Sequence, residues 1–93
     1  MKKFKEILDT AVFTTKYVLE NKFPILHVYH YDEDGSWQFS GFEEVENDED
    51  FRVVSLEEII KLDRSVLEVS DLQLGYEAHR KKEGSFWEIS KTK

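Results

Sequence analysis

The sequence predicts an α+β fold, with a mainly antiparallel sheet built from two hairpins and two to four short helices. Three features predict it. An Asp-Gly turn joins two β-rich runs over residues 25–42, a Gly-containing turn joins two more over residues 76–89, and a helix-capping sequence opens an apolar stripe at residues 55–62. The 93 residues, of which 40% are hydrophobic, allow one core and therefore a single domain over residues 1–93.

The first predicted element is a helix over residues 3–10. Its apolar side chains recur every three or four residues, which is the one-sided stripe of an amphipathic helix: Phe4, Ile7, Leu8, Ala11 and Val12. Residues 11–14 are also β-branched and aromatic enough to form a short strand, so the end of this helix is left open.

A second short helix is predicted through residues 17–19. Thr14 or Thr15 can cap its N-terminus with a side-chain oxygen, and Asn21 suits the left-handed conformation that often ends a helix. Pro24 cannot continue a helix because it lacks a backbone N–H, so this element must end before that residue.

Residues 25–42 form the strongest local pattern, a β-hairpin. With Asp34 and Gly35 at the centre of its turn, His30 pairs with Phe39. The period of two places these residues on one face: Leu26, Val28, His30, Trp37 and Phe39. The other face receives Ile25, His27, Tyr29, Tyr31 and Phe42. Because both faces carry large side chains, the hairpin either is covered on both sides or presents an aromatic face to a partner.

The second half of the chain is predicted to open with a solvated acidic loop at residues 43–50 and a strand at residues 51–54. Ser55 then caps a helix over residues 56–62 as part of a capping box, and Asp63 caps a further turn. The second hairpin, over residues 76–89, is the last predicted element, and its turn contains a glycine.

The net charge of −7 is concentrated in one part of the chain. Residues 32–50 hold nine acids and no base, so they carry −9 and the remainder carries +2. Nucleic-acid binding is not expected, because phosphate backbones are bound mainly by cations. The N-terminus lacks the continuous apolar stretch of a signal peptide, and no run is long enough to cross a membrane, so a cytoplasmic protein without a membrane partner is expected.

No metal, cofactor or catalytic site is predicted. The absence of Cys excludes disulfides, iron–sulfur clusters, Cys-based zinc sites and cysteine nucleophiles. His27 and His30 lie three residues apart on a predicted strand and therefore point to opposite faces. An EF-hand is rejected because its first position would be His30 and its twelfth Gly41. Phosphate-binding, serine-hydrolase and metalloprotease motifs are missing, while weak cation binding by the acidic stretch stays open.

The acidic stretch has two interpretations. Such a run is usually a solvated face, but its field can also attract and dock a basic protein partner. In the second interpretation Trp37, which adjoins the acidic turn, anchors the contact. The residues predicted to bind the partner are Asp32, Asp34, Trp37, Glu43, Glu44 and Glu46.

The order of features resembles a known protein family. The segments that carry the resemblance are residues 34–41 (DGSWQFSG), 54–60 (VSLEEII), 63–67 (DRSVL) and 75–80 (GYEAHR). They resemble a group of small bacterial proteins, first filed as a domain of unknown function and later described as predicted immunity proteins of polymorphic toxin systems. The similarity extends over about residues 13–89. It implies a stoichiometric binder that neutralises a toxin, with no catalytic residues.

Two other functions remain open from the sequence. One is a ligand-binding or enzymatic domain with a pocket between sheet and helix, in which His30 or His79 titrates. The other is a homodimer formed through an exposed sheet face or an edge strand, so the chain is expected to be a monomer or a homodimer.

Overall fold

The computed structural model describes residues 2–41 and 47–92, which fold around a six-stranded sheet. The strands are β1 (Ala11–Thr15), β2 (His27–His30), β3 (Trp37–Ser40), β4 (Phe51–Ser55), β5 (Tyr76–His79) and β6 (Glu88–Lys91). The helices are α1 (Lys16–Glu20) and α2 (Leu56–Leu62), with 3₁₀ segments at Asp48–Asp50 and Arg64–Val69.

The sheet is mixed, with the strand order β4-β1-β3-β2-β5-β6. Strand β1 runs parallel to β3, and the other neighbouring pairs among the described strands are antiparallel. The parallel contact arises because α1 carries the chain from the end of β1 to the start of the β2–β3 hairpin, which then folds back beside β1. The predicted α+β class is confirmed and both hairpins are present. The sheet is mainly antiparallel, as predicted, but it is mixed, because β1 lies parallel to β3.

The β2–β3 hairpin has a register two residues away from the predicted one. His30 pairs with Trp37, because the turn spans four residues. The Tyr31 N–H donates to the Ser36 carbonyl at 2.9 Å, and the Gly35 N–H donates to the Tyr31 carbonyl at 3.0 Å. An even shift leaves every side chain on its predicted face, so the face assignments of the described residues survive this correction.

The predicted N-terminal helix over residues 3–10 is wrong, since the described part of this segment is irregular up to β1. Two carbonyls of this segment bond to another helix. Leu8 and Thr10 accept bonds from the N–H groups of Glu57 and Leu56, at 3.1 and 2.9 Å, in the first turn of α2. The apolar stripe does not form the buried face of a helix, because Ile7 and Leu8 stay exposed and Val12 is buried as part of β1, where it pairs with β4.

The predicted caps are confirmed by side-chain hydrogen bonds. Thr15 accepts from the Val18 N–H at the start of α1, and Ser55 accepts from the Glu58 N–H at the start of α2. Asp63 caps the second 3₁₀ segment. The left-handed stop is misplaced by one residue, because Asn21 keeps a φ of −96° and the residue after it, Lys22, has a φ of 60°.

The two faces of the sheet differ in what covers them. One face packs against α2 and the second 3₁₀ segment and forms the core, whose buried members include Val12, Val28, Trp37, Phe39, Leu56, Ile59, Val66 and Ala78. The opposite face carries half-exposed side chains from the alternate strand positions, and we call it the open face. Of the two arrangements expected for the hairpin, cover on both sides is therefore excluded for the described chain.

Candidate protein-binding face

A row of side chains crosses the open face on four neighbouring strands. Phe13 in β1 lies beside Gln38 in β3, Gln38 pairs with Tyr29 in β2, and Tyr29 pairs with Glu77 in β5. Residues two positions apart on a strand share a face, so Tyr31 joins the row, with its ring stacked on Tyr29 at 6.0 Å. The Tyr31 hydroxyl donates to Gln38 Oε1 at 3.1 Å, which fixes the ring over β3.

At one end of this row lies a shallow depression of about 390 Å³, which we call the acid-rimmed depression. Its aromatic lining comes from Phe13, Tyr31 and Phe51. Its rim and remaining walls are Glu33, Asp34, Ser36, Gln38 and Asp48. Carboxylates from the hairpin turn and from the segment preceding β4 therefore converge around one aromatic surface, although they are 14 residues apart in the sequence between Asp34 and Asp48.

The acids on and near the depression are available for interaction with solvent or with a partner. Five acids of the stretch are exposed: Asp32, Glu33, Asp34, Asp48 and Glu49. No ion pair joins any of them to a Lys or Arg of residues 2–41 and 47–92. Asp34 is also fixed in place, because Ser36 donates to its Oδ1 from both the hydroxyl, at 2.7 Å, and the backbone N–H, at 3.0 Å. These bonds lower the pKa of Asp34, so it stays ionised.

Asp50 differs from the other described acids of the stretch, because it is buried and neutralised. Lys16 Nζ lies 3.2 Å from its Oδ1, and the Tyr17 hydroxyl donates to its Oδ2 at 3.2 Å. The hydrogen bond and charge of Asp50 raise the pKa of Lys16. Asp50 therefore joins α1 to the start of β4 and does not contribute to the exposed charge.

Trp37 does not belong to this surface, and its interpretation as a partner-binding anchor is wrong. Its side chain is 2% exposed and lies on the core face. The His30 ring stacks on it at 3.9 Å, the Phe4 ring meets it edge-on at 4.9 Å, and its Nε1–H donates to Glu6 at 2.9 Å. The alternation of the hairpin had already assigned Trp37 to the same face as Phe39, which is the signal against an exposed position.

The other predicted binding residues have mixed outcomes. Asp32 and Asp34 are exposed in the hairpin turn, but Asp32 lies against Gly75 and not in the depression. Glu43, Glu44 and Glu46 lie outside the described residues. The sequence interpretation missed Phe13 and Phe51 altogether. Their strands do not alternate clearly between polar and apolar residues, so the sequence does not assign the two rings to a face, and nothing local places them beside the turn.

A histidine pair occupies the other end of the open face. The Nδ1 atoms of His27 and His79 are 2.7 Å apart, so one donates and the other accepts. His79 Nε2 lies 2.9 Å from Glu77 Oε1, and the Thr92 hydroxyl donates to Glu77 Oε2 at 3.1 Å. Burial, and then the neighbouring His79, lower the pKa of His27, and the hydrogen bond from His79 is the main cause that lowers the pKa of Glu77. The contact is a polar network on a sheet surface.

His30 lies on the opposite face, as predicted, and is a partly buried residue that packs against the core residue Trp37. Its Nδ1 is 2.7 Å from the Leu72 carbonyl, its Nε2 is 3.9 Å from Glu6, and one ring face is covered by Trp37. The pocket between sheet and helix that an enzymatic role would need is therefore filled at this histidine. His79 and its carboxylate partner lie on the face turned away from α2.

Across the described ranges, no three His, Asp or Glu side chains are grouped in a way that could hold a metal ion. Nor does any helix within them have the length and apolar character needed to cross a membrane. The chain matches no protein-family model, and no curated protein or solved structure is detectably similar to it.

Proposed function

We propose that the protein is a stoichiometric binding module, not an enzyme, that neutralises a basic protein partner by occluding part of its surface. The resemblance of its sequence to predicted immunity proteins supports this function, with a basic toxin domain as the partner. The observation that carries the proposal is the acid-rimmed depression, in which carboxylates without an ion-pair partner surround partly exposed aromatic rings.

The acidic residues supply attraction over distance. Charges of one sign on one part of a surface raise the association rate of an oppositely charged partner, and this effect weakens as salt screens the field. Asp32, Glu33 and Asp34 in the turn and Asp48 and Glu49 before β4 provide this charge in the described chain. Glu43, Glu44 and Glu46 add to it in the proposal.

The aromatic rings supply the close contact. Phe13 retains 38% of its accessible surface, and Tyr31 and Phe51 are half-buried, so the depression has apolar area left to bury. An Arg side chain of the partner matches both properties, because its guanidinium stacks on aromatic rings and forms paired hydrogen bonds with carboxylates. We therefore expect a basic segment of the partner to insert at least one Arg between the rings and the acidic rim.

The test begins with recovery of the partner from the native cell on the immobilised protein, followed by association kinetics of the purified pair. Replacing three rim acids together, by Glu33→Gln, Asp34→Asn and Asp48→Asn, is expected to slow association by about tenfold at low salt. Raising the salt concentration should remove most of the difference between this variant and the wild type.

The matched control carries the same charge change on the helical side of the molecule, by Glu57→Gln, Glu58→Gln and Glu68→Gln, at three exposed positions. It should associate at nearly the wild-type rate. Equal slowing in both variants would show that only net charge matters, and an affinity indifferent to salt and to the rim acids would reject the proposed surface.

A further inference from the structure

Strand β6 forms one edge of the sheet and has an unpaired row of main-chain groups. The Thr92 N–H donates to the Gly75 carbonyl at 2.7 Å, which sets the phase of the ladder between β5 and β6. Bonding alternates along an antiparallel pair, so Glu88 and Ser90 bond towards β5. The N–H and C=O groups of Ile89 and Lys91 consequently point away from the sheet.

The same edge exposes apolar side chains. Phe86, just before β6, is 96% exposed, which is the highest value among the large hydrophobic residues of the described chain, and Ile89 is 53% exposed. Trp87 lies between them, with Arg80 over its ring at 4.1 Å. An unpaired strand edge with adjacent apolar surface favours pairing with another strand.

The opposite edge of the sheet, β4, is protected. The Leu56 N–H bonds to the Thr10 carbonyl, which places the main-chain groups of Phe51 and Val53 on the outer side of β4. Arg52 Nη1 donates a hydrogen bond to the Phe51 carbonyl at 3.0 Å, so one of the outward carbonyls of this edge already has a partner in the same strand. Nothing comparable blocks β6 within the part of the chain that the structure describes.

The charges of β6 are compatible with pairing to a second copy of the same strand, and they restrict the register of that pairing. A two-fold axis perpendicular to the sheet places the core faces of the two copies on the same side of the combined sheet. Odd-numbered residues of β6 then pair only with odd-numbered residues of the other copy, and even-numbered residues only with even-numbered ones. An axis at Glu88 or at Lys91 would bring like charges together. An axis at Ile89 pairs Ile89 with itself, Glu88 with Ser90, and Lys91 with Trp87, which gives an apolar pair at the centre and places an ammonium beside an aromatic ring.

We propose that two copies of this chain associate through β6, antiparallel about a two-fold axis at Ile89, so that their two six-stranded sheets become one. This interface is independent of the proposed partner-binding function. An axis at Ser90 also avoids like charges, but it pairs Ile89 with Lys91 and loses the central apolar contact.

Sedimentation over a range of concentrations tests the association. The mass of the wild-type chain is expected to rise from 11.1 kDa towards twice that value as concentration increases. Ile89→Pro removes an outward N–H without removing a bond to β5, and it should raise the dimer dissociation constant by about tenfold or more. Val53→Pro, the equivalent change on the β4 edge, should leave the dissociation constant unchanged.

Cysteine cross-linking tests the register, because the chain contains no Cys. In the proposed dimer the two Ile89 Cα atoms are about 5.5 Å apart, within disulfide range, so Ile89→Cys should oxidise to a covalent dimer. Val53→Cys is the matched control and should stay largely monomeric under the same conditions. The proposal would be overturned if the wild-type chain stayed monomeric at about 1 mM. It would also be overturned if Val53→Pro dissociated the dimer and Ile89→Pro did not, or if Ser90→Cys formed the covalent dimer and Ile89→Cys did not.

Discussion

At the scale of single residues, the open face contains a titrating contact whose effect on stability has a definite sign. His27 lies against His79 through their Nδ1 atoms, at 2.7 Å, and two protonated nitrogens cannot share that contact. Burial and the neighbouring ring lower the pKa of His27 below its ordinary value of 6.5. Just below that pH the unfolded chain therefore binds more protons at this residue than the folded chain does.

The free energy of unfolding is accordingly expected to decrease as the pH falls from about 8 to about 5, where histidines titrate. His27→Asn places an amide near the position of Nδ1 but does not titrate, so its stability should depend less on pH over this interval. Urea denaturation of both proteins at several pH values measures the difference. Parallel curves for the two proteins would contradict the assignment.

The same scale shows what the sequence could predict about the candidate site. The alternation of the hairpin assigned Tyr31 and Trp37 to opposite faces, and this was correct. Because Trp37 is close to the acidic turn in the sequence, a surface role was nevertheless suggested. In the structure it is covered by Phe4 and by Glu6, and Glu6 precedes it by 31 residues. Burial of one residue by a distant irregular segment has no local signal.

At the scale of elements, a helix or strand could be predicted where the interactions that cause it are local in the sequence. The caps at Thr15, Ser55 and Asp63 use bonds within three residues, and all of them could be predicted. The N-terminal stripe could not be interpreted correctly, because its last members, Ala11 and Val12, pair with β4, which lies 44 and 42 residues later. The place of β1 between β3 and β4 has the same origin in long-range pairing.

Arg80 joins three of these elements and is buried although it carries a positive charge. The residue is 4% exposed, and its guanidinium donates to the Ile25 carbonyl before β2, at 3.0 and 2.8 Å. It also bonds to Ser65 and to Asp63 at the end of α2, each at 2.8 Å. Its other contact is the ring of Trp87 beside β6. A planar group with several donors is needed to satisfy these acceptors together.

Arg80→Met is therefore expected to lower the free energy of unfolding by about 3 kcal/mol, because it leaves a carbonyl and a partly buried carboxylate without their donor. Urea denaturation at neutral pH measures this loss. Lys82→Met, at an exposed position in the following turn, removes the same charge and should change stability by less than about 0.5 kcal/mol. A similar small effect at Arg80 would show that its hydrogen bonds contribute little.

At the scale of the whole molecule, the acids around the depression are a cost to the folded state. They lie near one another, and no ion pair relieves them in the described part of the chain, so compact folding brings like charges together. Apart from Asp34, which accepts two hydrogen bonds from Ser36, these acids make no stabilising contact described above, and their arrangement is consistent with recognition. Proteins commonly retain such unfavourable groups where binding requires them.

Glu33→Gln combined with Asp48→Asn is expected to raise the melting temperature by a few degrees at low salt. The increase should shrink at high salt, where screening weakens the repulsion. The control is Glu57→Gln, which removes an acid that faces Lys61 at 3.8 Å within α2 and should not stabilise. Thermal unfolding at two salt concentrations measures both variants. Destabilisation by the double substitution would show that these acids support the fold.

The strand order has a consequence for valency. The acid-rimmed depression lies over β4, β1, β3 and the hairpin turn that follows β2, whereas β6 forms the far edge. Two chains joined at that edge would present two such depressions on the same side of the combined sheet, with neither blocked by the junction. A target with repeated basic patches could then be held at two points at once, and the second attachment would benefit from the high local concentration created by the first.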